Sequence, residues 1–230
     1  MDIPSVQISV IVPIFNGALY INEAIKSLLS QEIDNLEILI IDDGSTDNFE
    51  SQLDCFGDPR LQIIKQVNSG AAEARNNGIR KARGEFIAFL DADDIWAPNK
   101  LKIQLEQIRG CKDVNMVYCH VKEFYDESIN GYNEVQKGVK TFKGYSPIAL
   151  LISKKDFLRV GYFQSKWKVA EFIDWYDRAK SAGLSEIMLP DVLAFRRIHS
   201  GNIGRMNRPN ANQYLAVLKE SLDRKRNQHY

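Results

Sequence analysis

Three carboxylates fall within four positions at Asp91-Ala92-Asp93-Asp94, directly after the apolar run Phe86-Ile87-Ala88-Phe89-Leu90. Such a run suits a strand with core on both faces. Carboxylates crowded at its end repel one another unless a cation lies among them. Mg2+ and Mn2+ take oxygen ligands, commonly one or two carboxylates with substrate phosphates and waters. One reading is a metal site for a phosphorylated substrate at the carboxyl end of a strand. The other is an Asp-rich turn, with Asp94 capping a helix that begins near Pro98.

The surrounding elements favour the first reading. Gln7-Ile8-Ser9-Val10-Ile11-Val12-Pro13 is rich in β-branched residues and ends in Pro, as a buried strand leaving its sheet does. Asn16-Gly17 turns the chain, and Tyr20, Ile21, Ala24, Ile25, Leu28 and Leu29 form the stripe of an amphipathic helix. Leu36–Ile41 is a second buried strand, ending in Asp42-Asp43-Gly44-Ser45-Thr46-Asp47, and Arg60–Lys65 is a third. Asn68-Ser69-Gly70 opens a helix over Ala71–Ala82 that carries Arg75, and Gly84 leads into the strand Glu85–Leu90. Strands alternating with helices imply an α/β fold with a mostly parallel sheet flanked by helices. Ligands bind such sheets beyond the carboxyl ends of the strands. Pro13–Asn16, Asp42–Asp47 and Asp91–Asp94 all deliver polar residues to that edge, which points to a nucleotide phosphate with a metal.

At 230 residues the chain fits one sizeable α/β domain. Thirty basic and thirty acidic residues cancel, so no global field points to nucleic acid or an anionic membrane. Cys55, Cys111 and Cys119 show neither zinc-type spacing nor close pairing, the usage of reduced thiols in the cytoplasm. Met1-Asp2-Ile3-Pro4 lacks the basic opening of a signal peptide, and no apolar stretch approaches the ~20 residues of a membrane helix. A cytoplasmic protein is expected, visiting a membrane surface rather than spanning it if its substrate is membrane-bound.

Four motifs carry a family resemblance: Val10-Ile11-Val12-Pro13-Ile14-Phe15-Asn16, Ile41-Asp42-Asp43-Gly44-Ser45-Thr46-Asp47, Asn68-Ser69-Gly70 through Ala74-Arg75-Asn76-Asn77-Gly78, and Phe89-Leu90-Asp91-Ala92-Asp93-Asp94. In this order and spacing they resemble family-2 glycosyltransferases of the GT-A fold. The resemblance implies inverting transfer of a sugar from a nucleoside diphosphate sugar, with UDP favoured by family habit and Mn2+ or Mg2+ as cofactor. It implies one GT-A domain, with a nucleotide-sugar half over 1–100, an acceptor half over 101–205 and a C-terminal helix over 206–230. By position, Pro13, Phe15 and Asn16 would border the nucleoside, and Asp42 or Asp43 would accept a hydrogen bond from the base. Arg75 would lie beside the base or diphosphate. Asp91, with Ala92, would meet the ribose, and Asp93 the metal. Bland readings stand beside these: Asp42 and Asp47 as residues that only shape the Gly44 turn, with Asp47 as a helix cap. Trp96 is core or pocket wall.

In the second half, Pro98 and Asn99 open a helix with Leu101, Ile103, Leu105 and Ile108, and Val114–Val121 is a strand. From Phe124 to Phe142 the chain is polar and Gly-containing, an irregular or hairpin segment of the kind that carries specificity. Tyr145–Ser153 and Lys154–Phe163 resemble the family's strand and short helix ending in Val-Gly-x-Phe. Many family members have a Glu-Asp pair near Ala170–Arg178, the Asp being the base that takes the acceptor hydroxyl's proton. Aligned on Arg178, this chain has Glu171 followed by Phe172, so the usual base position is apolar. Asp174, three residues on, would share a helix face with Glu171; one of the two is expected to be the base, with Glu171 preferred, unless Glu171 only caps the helix. Relatives carry an Arg-x-His segment matching Arg197-Ile198-His199. His199 would complete the metal shell or touch the diphosphate, and Arg196 or Arg197 would pair with phosphate. A lone His is as readily structural. Pro209–Tyr230 reads as a helix with Tyr214, Leu215, Leu218 and Leu222 on one face and a solvated basic end at Arg224-Lys225-Arg226.

The acceptor expected is a saccharide, a lipid-linked sugar or a peptide. Processive synthases of this family have membrane helices and a Gln-x-x-Arg-Trp motif, which this chain lacks. A nucleotidyltransferase would want a Gly-rich basic loop after the first strand, where Pro13-Ile14-Phe15-Asn16-Gly17 stands. A donor-binding module with weak or lost chemistry is the remaining alternative, kept by Phe172.

Overall fold

Strand β2 (Leu36–Asp42) is buried along its whole length, and β1 (Ile8–Ile14) everywhere except Pro13. Both read as largely apolar runs, interrupted only by Ser9 and by Glu37 and Asp42, because both faces of the sheet they belong to are buried. A computed structural model describes residues 6–126, 139–202 and 211–227. The polar stretch at 127–138, and the expected helix ends at Pro209 and Tyr230, lie outside the described residues.

The remaining strands are β3 (Leu61–Lys65), β4 (Phe86–Phe89), β5 (Ile95–Trp96), β6 (Met116–Tyr125), β7 (Thr141–Lys143), β8 (Leu151–Ser153) and β9 (Glu186–Ile198). They form one nine-stranded sheet in the order β3-β2-β1-β4-β8-β6-β9-β5, with β7 on β6. β1, β2, β3, β4, β6 and β9 point one way, while β5, β7 and β8 run against them. The sheet therefore continues through both halves of the chain. Its helices are α1 (Ile21–Leu29), α2 (Ala71–Lys81), α3 (Lys100–Gly110), α4 (Lys154–Val160), α5 (Glu171–Ser181) and α6 (Ala211–Asn227).

The parallel register brings Ile14 opposite Asp42 and Ile11 opposite Phe89, so the loops after β1, β2 and β4 leave from one edge. Helix α2 lies tight on β1 because Gly78 has no Cβ; one placed there would overlap the Ile11 side chain. Strand β9 holds Pro190 in its middle without breaking. The register against β6 shifts between Tyr118 and Val121, and this irregularity lets Pro190 and Asp191 stand out from the sheet, exposed.

Four local expectations change. Helix α3 starts at Lys100, with Asn99 before it making no side-chain cap. Asp94 caps nothing: it is buried and accepts the Arg197 N–H at 2.8 Å. Asp47 accepts the Ala18 N–H at 2.8 Å instead of capping a helix, so it ties two loops together. The C-terminal helix is also turned around. Val217 and Ser221 are buried, while Tyr214, Leu215, Leu218 and Leu222 are exposed. Asp174 and Asp177 on α5 draw Arg224 inward, so the polar side of α6 docks and its basic end is not simply solvated.

Candidate active site

The loop after β1 is stitched to the loop after β2. Asn16 adopts φ 53°, a left-handed conformation that Asn tolerates better than most residues. Its side-chain oxygen accepts from the Thr46 N–H at 2.8 Å, and its own N–H donates to Ser45 Oγ at 3.1 Å. Phe15 projects into solvent beside it. The two acids of β2's end differ in role. Asp42 gives one oxygen to the Ser45 N–H at 2.8 Å. Asp43 uses both oxygens, accepting from Gln66 Nε2 at 2.8 Å, the Ser69 N–H at 2.7 Å and the Gly70 N–H at 2.8 Å. Asp43 thus fixes the entry to α2.

From α2, the buried Arg75 reaches the same edge. Its guanidinium pairs with Asp91 at 2.6 Å and with Glu171 at 2.9 Å. Burial penalises its charge, but the two carboxylates, Asp91 ahead of Glu171, outweigh that and hold its pKa above the usual arginine value. Glu171 is the first residue of α5 and turns to Arg75 instead of capping the helix, whose preceding residue is Ala170. Burial raises the Glu171 pKa; Arg75 opposes this and Asp91 reinforces it. The arginine therefore joins the donor-side carboxylate to a carboxylate from the second half.

Asp93 faces the end of β9. Its Oδ2 lies 2.8 Å from His199 Nε2 and 3.2 Å from Asn202 Nδ2. His199 Nδ1 accepts the Gly201 N–H at 3.1 Å, so the ring proton belongs on Nε2, donated to Asp93. Tyr20 lies against the imidazole, ring centroids 4.7 Å apart. Burial and then Asp91 raise the Asp93 pKa, with His199 opposing. Asp94 is raised well above the usual range by burial, then by Asp93 and Asp91. Ala92, half-buried, spans Asp91 and Asp93.

Arg197 holds this arrangement from beneath. Its Nε donates to the Asp93 carbonyl at 3.0 Å and its Nη2 to Glu23 at 2.8 Å. The guanidinium also lies over the rings of Tyr20 and Phe124, 4.8 and 4.6 Å from their centroids. A phosphate would have to displace these partners. Arg196 points elsewhere, 3.7 Å from Glu123. Sequence reasoning missed Glu23 and the roles of Tyr20 and Asn202. Only Asn202, three residues after His199, had a local signal, since its side-chain oxygen accepts the His199 N–H at 2.7 Å as a turn residue would.

Asp174 is not brought to this cluster. It is fully buried, 2.9 Å from Arg178 and 3.2 Å from Arg224. Phe172 packs among Tyr118, Phe163, Trp175 and Tyr176, so the departure at the usual base position belongs to the aromatic core. Among the described residues, no three His, Cys, Asp or Glu side chains converge as a metal cage. Asp93 alone fits a hard divalent cation that takes its other ligands from phosphates and water. His199 fits only if its proton moves to Nδ1, giving up Gly201.

Residues 9–163 match the family described as Glycosyl transferase family 2. Glycosyltransferase GlyG of Streptococcus pneumoniae is 41% identical over 124 residues, which cover 53% of this chain and 40% of GlyG. The UDP-Glc:alpha-D-GlcNAc-diphosphoundecaprenol beta-1,3-glucosyltransferase WfgD of Escherichia coli is 37% identical over 125 residues, 54% of this chain and 49% of WfgD. An uncharacterised glycosyltransferase of Rickettsia prowazekii is 31% identical over 216 residues, 86% of this chain and 66% of that protein. Among solved structures, S. aureus TarS in complex with UDP-GlcNAc superposes with a TM-score of 0.70 at 22% identity, over 85% of this chain and 60% of that one. The mannosyltransferase PcManGT from Pyrobaculum calidifontis, with GDP-Man and Mn2+, gives 0.68 at 19% identity, over 87% and 59%. In each case the chain spans less than two thirds of the relative's length. The structural likenesses show the fold, which is the GT-A fold the four motifs implied. The match over residues 9–163 shows more, and by it the chain belongs to glycosyl transferase family 2.

Proposed function

We propose that this chain transfers a sugar, with inversion, from a nucleoside diphosphate sugar to an acceptor hydroxyl, with Glu171 as the base. The observation that carries the reading is Arg75, which holds Glu171 and Asp91 on one guanidinium. Glu171 takes the hydroxyl proton as the acceptor oxygen bonds to the anomeric carbon. The bond from that carbon to the diphosphate breaks, and the nucleoside diphosphate leaves with the electron pair. A carboxylate pKa raised by burial suits proton abstraction near neutral pH.

UDP is the proposed nucleotide. Asp42 has an oxygen to offer the uracil N–H, whereas Asp43 is fully engaged. Uridine also figures in the names of the WfgD and TarS matches, GDP in that of PcManGT. Pro13, Phe15 and Asn16 border the nucleoside, and Asp91 and Ala92 the ribose. Asp93 would hold Mn2+ or Mg2+, with His199 as a second donor; an imidazole in the shell favours Mn2+. Bound there, the cation would neutralise the charge that builds on the leaving diphosphate. Arg197 acts by fixing the Asp93 main chain.

Transfer and hydrolysis of UDP-sugars with Mn2+, compared with Glu171→Gln and Asp174→Asn, test the reading. Glu171→Gln should lose turnover and keep UDP binding. Unchanged turnover in both variants rejects the base assignment. The second reading, a donor-binding module with lost chemistry, rests on Phe172. It predicts UDP-sugar binding without hydrolysis in the unaltered protein.

A further inference from the structure

Helix α6 presents its polar side to the protein and its apolar side to water, the reverse of a surface helix packed on a core. Val217 joins Trp167 and Ala170 in a small buried cluster. Ser221 donates to Asp177 at 2.7 Å, and Arg224 pairs with Asp174 and Asp177. On the other side Leu215, Leu218 and Leu222 are 67%, 56% and 57% exposed. Their i, i+3, i+7 spacing places them along one line of the helix. Lys219 and Arg226, both exposed, stand one turn after Leu215 and Leu222. Of the acids, Glu220 is turned to Lys166 at 2.8 Å, which leaves Asp223 exposed.

We propose that this face docks α6 in the plane of an anionic lipid surface, with the leucines in the acyl boundary and Lys219 and Arg226 at the headgroup phosphates. Two observations select that occupant. The cations beside the stripe call for negative charge, whereas a second copy would bring its own Lys219 and Arg226 to the contact. Three leucines also offer far less than the ~800 Å2 per partner of a stable protein interface. A narrow apolar line edged with cations is sufficient for a lipid interface. The consequence for catalysis rests on the transfer reading: Arg224 ties α6 to Asp174, three residues from Glu171, so docking would hold the base near an acceptor carried on lipid. The docking itself does not depend on that reading, and its test requires no turnover.

Co-sedimentation of the purified chain with phosphatidylcholine vesicles, with and without phosphatidylglycerol, reads the binding directly. The protein should sediment with the anionic vesicles only, and less so as salt rises. Replacing Leu215, Leu218 and Leu222 together by Gln, which keeps helix propensity, should weaken binding by at least about tenfold. Lys219→Gln with Arg226→Gln should cost about fivefold per charge. None of these side chains is buried, so thermal unfolding should be unchanged and serves as the folding control. The proposal is overturned if the unaltered chain ignores anionic vesicles, binds neutral ones equally, or binds as well without the leucines. A dimer in solution that the leucine changes dissociate, with no vesicle binding, would assign the face to a second copy and overturn it too.

Discussion

Replacing Arg75 by Met removes the cation between Asp91 and Glu171 while keeping a side chain of similar length. Only 6% of the Arg75 side chain is exposed, against 12% for Glu171 and 37% for Asp91. Deleting one partner of a buried ion pair costs about 3–5 kcal/mol, because the other charge is left uncompensated. Water screens the share of the more exposed Asp91, so the lower end, about 3 kcal/mol, is expected, most of it from Glu171. A double-mutant cycle with Glu171→Gln isolates that part. With only the more exposed Asp91 left to strand, Arg75→Met should then cost about 1 kcal/mol, a coupling of about 2 kcal/mol. Urea denaturation of the four proteins measures it, provided the m-value stays constant. Activity should report the same contact. Burial raises the Glu171 pKa and Arg75 restrains it, so losing Arg75 raises it further and moves the acid limb of the pH–rate profile to higher pH. Equal destabilisation in both backgrounds, with coupling under about 0.5 kcal/mol, would refute the pairing and with it the link between donor edge and base.

Three further outcomes follow from the geometry. Asp93→Asn should abolish metal-dependent turnover of UDP-sugars, and His199→Ala, which removes the second donor, should weaken Mn2+ binding by at least about tenfold, read by calorimetric titration of Mn2+ in the presence of UDP. Glu37 is buried at the opposite edge, accepting from Ser9, the Arg83 N–H and the Arg83 side chain. Burial raises its pKa, but these bonds together hold it below the ordinary 4.5, so its stabilisation is full above that value and is lost as pH falls through the lower folded value. Glu37→Gln should cost about 2 kcal/mol at neutral pH and less in acid, measured by urea denaturation across pH. Gly78→Val forces a branched side chain into Ile11 and should destabilise by about 1–3 kcal/mol; a melting temperature unchanged from the parent would show that α2 can lift off β1.

What was legible in the sequence was periodicity and punctuation. The buried strands β1, β2 and β4 announce themselves as predominantly apolar runs, and their polar ends locate one edge of the sheet. Strands β5 and β8, of two and three residues, are too short for either signal and form only because longer strands offer them an edge. The roles of Asp42 and Asp43 were not separable from residue type. They differ because the chain entering α2 folds its Ser69 and Gly70 amides onto Asp43 and leaves Asp42 with the Ser45 turn.

The choice between Glu171 and Asp174 shows where local reasoning stops. A three-residue spacing does set two side chains on neighbouring lines of a helix. It does not say what each line faces. Glu171 opens α5 and reaches out to Arg75, 96 residues earlier in the chain. Asp174 lies one turn deeper and is taken by Arg178 within its own helix and by Arg224 from α6, 50 residues later. A carboxylate held by two guanidiniums, with no exposed surface, has no access to the proton of an acceptor. The basic tail that read as a solvated helix end is thus what removes Asp174 from consideration. The preference for Glu171 rests on Arg75, which a motif includes, and the exclusion of Asp174 on Arg224, which none does.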